Sequence, residues 1–146
     1  MRKLRDILVG KPERTWWYVP IIRLMVGWVF VLAGVQKFIY PDDMGPGRFE
    51  EMGLPMPEIL AYFVGSVELI CGIFVLIGFF TRFASLPLCI VMIFAIGLTK
   101  VDVFIAEGAI QGLHDSRLDV SMFLGALYLL FTGSGPWSVD KRLTEN

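Results

Sequence analysis

Five side chains with usable chemistry lie inside or at the edges of strongly apolar runs: Arg23, Gln36, Lys37, Glu68 and Asp119. A charge near the centre of a membrane helix costs at least ~2.5–3.5 kcal/mol, so each charged group here needs a partner, a wet cavity or a changed protonation state. Glu68 is the outstanding one. It stands within FVGSVELICGIF, and helical spacing puts Ala61, Gly65 and Gly72 on the same narrow face as its carboxyl. Small residues let a second helix or a ligand come close. Glu68 then has three uses: fastening helices as a protonated or paired acid, orienting a small hydrophobic ligand such as a quinone headgroup, or contacting a partner protein.

In the first apolar run, Arg23, Gly27, Phe30, Gly34 and Lys37 share one face, because each step is close to a whole number of turns. At 1.5 Å per residue, Arg23 lies about 8 Å deep and Glu68 about 18 Å from the same side. An ion pair between them must bridge roughly 10 Å of height through helix tilt. The alternative for Arg23 is snorkelling toward the headgroups. Lys37 ends the face near the opposite boundary, where Asp119 opens the last apolar run at a similar height. A Lys37–Asp119 contact is expected there, with Gln36, His114, Asp115 and Arg117 around it; individual solvation of these groups is the alternative. Gly27, Gly34, Gly65 and Gly72 are the candidate helix-packing face.

The rest of the chemistry is sparse. Two cysteines without CxxC and a single histidine offer no disulfide framework, Cys/His zinc site or bis-histidine haem site, so no metal site is expected. Cys71 and Cys89 read as small packing residues. No HExxH, P-loop, dinucleotide fingerprint or Ser/His/Asp signature is present, so no cofactor is held by a recognisable motif. A quinone is the ligand that the intramembrane carboxyl could take.

The elements that must position these groups are membrane helices. The chain has 146 residues, 55% hydrophobic and 18% charged, with mean hydropathy +0.66; an ordinary soluble domain is roughly 45–50% apolar. Thirteen Lys+Arg against fourteen Asp+Glu leave no basic face for a nucleic acid. A hydrocarbon core of about 30 Å needs about 20 apolar residues per helix. Four stretches approach that length: 18–40, 59–80, 83–99, with an extension to 105 as an alternative, and 118–132. The first is longer than a signal h-region and no A-x-A pattern follows it, so it reads as a retained helix.

Flanking charge sets the expected orientation. Residues 1–15, Arg82 and the tail carry eight Lys+Arg, against four on the other side (Lys37, Arg48, Lys100, Arg117), which places both termini in the cytoplasm. Trp16, Trp17, Tyr18 and Trp137 fit an aromatic belt on that side. Pro41 to Glu58 reads as a turn-rich, solvated acidic loop, and Lys100 to Arg117 as a short cap over the bundle. The expected fold class is all-α, a four-transmembrane-helix bundle formed by one domain over 1–146.

Four segments in order, RLMVGWVFVLAGVQKF, MGLPMP, VELICGIFVLIGFFTRFASLPLCIVMIFAI and FTGSGPWSVD, resemble the DoxX family from Arg23 to Asp140. The matching positions are Arg23, Gly27, Gly34, Lys37, Gly53, Pro55, Glu68, Gly72, Gly78, Thr81, Arg82, Gly133, Gly135, Ser138 and Asp140. Asp119 departs from the pattern, which more often has glutamate there. The resemblance implies a four-helix membrane protein of the bacterial inner membrane, related to the small membrane subunit of a thiosulfate:quinone oxidoreductase. It implies an accessory subunit of a redox complex more than an autonomous enzyme. The expected partners are membrane lipid and either a membrane protein or a second copy of the chain, and the electron carrier is then a diffusing quinone or belongs to the partner. A stand-alone binder or carrier of a lipid or hydrophobic metabolite, and a structural subunit or assembly factor, are the rival readings.

Overall fold

A computed structural model describes residues 17–99, 105 and 108–145, and the described residues are helices joined by turns, with no strand among them. The long helices are α1 (Val19–Ile39), α3 (Pro57–Ile77), α4 (Thr81–Thr99) and α5 (Ala109–Thr132); the short ones are α2 (Pro46–Glu51) and α6 (Val139–Glu145). Proline stands in the first turn of α1, α2 and α3, where its missing N–H is no loss. Each long helix packs on the next, α1 on α3, α3 on α4, α4 on α5, and α5 returns to α1. Between them lies a core that includes Val26, Phe30, Val75, Leu88, Met122 and Leu129. Isoleucine, leucine and phenylalanine cover much of the outside: Phe63, Phe83, Phe94 and Phe131 are each more than 60% exposed, the distribution of a bundle whose solvent is lipid.

Among the described residues three helices are long and apolar enough to cross a membrane: Val19–Ile39, Pro57–Ile77 and Thr81–Leu98. The expected fourth stretch, 118–132, is the second half of a longer helix that starts at Ala109. Its first half carries Gln111, His114, Asp115 and Arg117, so hydropathy hides it while the backbone continues through it. Residues 109–117 are therefore part of α5 and not a cap. The possible extension of α4 to 105 lies outside the described residues except for Ile105, and the basic segment 1–16 lies outside them altogether.

The second stretch also ends earlier than expected, at Ile77 in place of Phe80. Gly78 turns the chain with φ 71°, the Phe79 N–H donates to the Phe74 carbonyl at 2.9 Å and the Gly78 N–H to that of Val75 at 3.2 Å. The Phe79 ring packs edge-on against Phe74 at 5.3 Å. This pairing of backbone bonds with an apolar contact stops a helix sharply. α4 then begins at Thr81, because the Asp140 carboxylate accepts hydrogen bonds from the Phe80 and Thr81 amides at 2.7 and 3.2 Å.

Candidate functional site

α1 and α3 cross backbone to backbone. A Cβ on Gly34 would stand 2.7 Å from the Leu69 nitrogen and 2.8 Å from the Gly65 carbonyl oxygen, and one on Gly27 would stand 2.9 Å from the Gly72 carbonyl oxygen. With no side chain at either position, the two helices bring residues one turn further on into direct reach. There the Lys37 ammonium donates to the Glu68 carboxylate at 2.6 Å, with the lysine side chain 15% exposed and the glutamate 3%. Gly65 lies beneath the lysine stem, since its Cβ would be 3.2 Å from Lys37 Cβ and 3.2 Å from the Phe38 ring. Phe38, next to Lys37 in the chain, stacks on Tyr62 at 5.6 Å and 23°.

Two sequence expectations are corrected here. Lys37 is committed to Glu68 and not to Asp119, which stays half-buried on α5. Gln36 faces outward from α1 and joins no polar cluster among the described residues. Of the remaining α5 groups, Gln111 donates to Asp115 at 3.3 Å and Arg117 hydrogen-bonds His114, so they pair along their own helix. Helical period correctly puts Lys37 and Glu68 on small-residue faces, yet it cannot say which face meets which.

Arg23 does not reach Glu68 and does not snorkel. It is 4% exposed, and its guanidinium donates to the carbonyls of Val75 at 3.0 Å, Leu76 at 2.9 Å and Ser134 at 2.8 Å. Val75 and Leu76 belong to the last turn of α3, whose terminal carbonyls carry the negative end of the helix dipole. Asp140, 2% exposed, holds the positive end of α4 in the same way, and its own N–H donates to the Gly78 carbonyl at 2.9 Å. The α3–α4 corner is thus clamped between a cation from α1 and an anion from α6. Ser138 completes it, with its hydroxyl donating to the Gly135 carbonyl at 2.8 Å.

The two polar centres differ in what they can do. Arg23 is saturated by backbone acceptors and serves the architecture. Lys37 and Glu68 offer a donor and an acceptor side by side, one of them partly open, in apolar surroundings where hydrogen bonds are strong. Among the described residues no group of three or more His, Cys, Asp or Glu could hold a metal ion.

A family model described as DoxX matches residues 19–107. An uncharacterized membrane protein of Mycobacterium tuberculosis is 47% identical over 130 residues, covering 85% of this chain and 80% of the relative. An uncharacterized protein of Haemophilus influenzae is 29% identical over 86% of this chain and 90% of its own length. A Bacillus subtilis protein named "Putative oxidoreductase CatD" is 26% identical over 82% of each chain. No solved structure gives a significant match.

Proposed function

Because the chain belongs to the DoxX family of membrane proteins, we propose that it is an accessory subunit of a quinone-linked redox complex in the bacterial inner membrane. In this reading α5 is a fourth span, both termini face the cytoplasm, and the Lys37–Glu68 pair is the contact for the ligand headgroup. The observation that carries it is the pair itself: an ammonium and a carboxylate at 2.6 Å inside an apolar crossing, with Phe38, the residue after Lys37, stacked on Tyr62. A quinone carbonyl accepts a hydrogen bond from an ammonium, a quinol hydroxyl donates one to a carboxylate, and a flat ring stacks on aromatic faces. The name of the Bacillus subtilis relative supports the redox assignment.

A second reading has its own observation. Glu68 is only 3% exposed behind Lys37, as a purely structural clamp would be, and removing one partner of a buried pair costs roughly 3–5 kcal/mol. Glu68→Gln separates the two, because glutamine still accepts from Lys37 while losing the charge. The native protein and the variant are extracted gently, and the copurifying proteins, lipids and quinones are identified by mass spectrometry. Retained folding with lost quinone or redox partner is the expected result. Equal ligand and partner content in both would remove the pair from binding and leave the clamp.

A further inference from the structure

The first half of α5 presents hydrogen-bonding side chains outward. Gln111, His114, Leu118 and Ser121 form one exposed stripe, while Gly112 and Ser116 are buried on the opposite side. Asp115 and Arg117, both exposed, are two residues apart and hence about 200° apart around the axis, one on each flank of that stripe. Among the described residues neither has an ion pair: Asp115 accepts only from Gln111, and Arg117 meets His114.

Their depth makes this costly against lipid. A Cβ on Gly125 would touch Val26, so counting back along the antiparallel pair sets Ser121 level with Phe30, Arg117 with Gly34 and Asp115 with Gln36. α1, with 21 residues, spans about 31 Å, close to the hydrocarbon thickness. Arg117 therefore sits about 7 Å inside the end of α1 at Ile39. Hydrocarbon tails offer no partner to a carboxylate or a guanidinium at that level.

We propose that this face of α5 is the seam of a homodimer, in which Asp115 of one copy meets Arg117 of the second copy. A second copy fits the charge pattern for a geometric reason. When two identical helices run parallel about a two-fold axis along the membrane normal, the left flank of each faces the right flank of the other. A stripe with an acid on one flank and a base on the other is then complementary to itself, twice, at nearly one height. His114, Leu118 and Ser121 fill the centre at spacings of four and three, the period of a helix–helix seam, and polar side chains are the glue of such contacts in membranes.

The inference rests on α5 being a span, as in the reading above, and is independent of the ligand. Two differently tagged copies are expressed together and extracted gently. The native pair is expected to copurify, and Asp115→Arg alone or Arg117→Asp alone to lose it, through base–base or acid–acid contact. One tagged Asp115→Arg copy with one tagged Arg117→Asp copy regains both attractions, and copurification should return. That rescue cannot come from repaired folding, because each chain keeps its own substitution. No copurification of the native copies, single variants that still associate, or a mixture that fails to recover each overturn the homodimer. Labelling of Leu118→Cys by an impermeant maleimide separates the causes: ready labelling in a non-associating protein refutes the span itself, and protection refutes only the dimer.

Discussion

Among the described residues the Arg23 guanidinium has no carboxylate in direct contact, and its hydrogen bonds go to backbone carbonyls from two different parts of the chain. Geometry is what matters there, since the planar fork reaches the α3 terminus and the segment after α5 at the same time, and an ammonium cannot. Arg23→Lys is expected to keep the charge yet lose at least one of these bonds, at roughly 1.5–3 kcal/mol for each bond to a charged group. Thermal melting in detergent should show a clearly lowered transition; an unchanged one would mean that the residue snorkels in solution. The sequence marks Arg23 as a buried charge only by its place in an apolar run. Its acceptors are backbone atoms, which no pattern of side chains announces. Asp140 was visible as part of a family pattern and not as the group that starts α4, because a cap supplied 59 residues away leaves no local signature. Lys37 and Glu68 are each legible as intramembrane charges, while a depth difference of roughly 10 Å leaves a Glu68–Arg23 pair open to helix tilt. The Lys37–Glu68 contact needed the crossing of α1 and α3.

Among the elements, the α1–α3 crossing fixes the site, and its tightness rests on glycine. Gly34→Ala would place a methyl 2.7 Å from the Leu69 nitrogen, and backbone cannot yield as a flexible side chain does. We expect a loss of roughly 1–3 kcal/mol from overpacking, with the Lys37–Glu68 contact loosened as the helices separate. Gly97→Ala on α4 is the control, because a Cβ there meets nothing within 4 Å and alanine is the better helix former by up to ~1 kcal/mol. Melting of the two variants side by side should move in opposite directions. Helix existence was legible from apolar length for α1, α3 and α4. Their ends were not, because they are set by the turn at Gly78 and the Asp140 cap, and the start of α5 was masked by charges on a face that hydropathy averages away.

For the molecule as a whole, the expected topology follows from where the basic residues lie, and the α2 loop gives it a direct test. Asp43 is exposed between α1 and α3, so Asp43→Cys should react with an impermeant maleimide added to intact cells, while reaction only after the cytoplasm is opened would invert the arrangement. The Arg23 clamp also has a consequence in time. One of its acceptors, the Ser134 carbonyl, is translated 111 residues after the arginine it binds. At roughly 5–20 residues per second, α1 waits on the order of ten seconds in the membrane with a guanidinium whose set of acceptors is incomplete. Two of its acceptors, the Val75 and Leu76 carbonyls, arrive with α3, so the bundle closes at its Arg23 end in two stages and is locked only when the segment after α5 arrives.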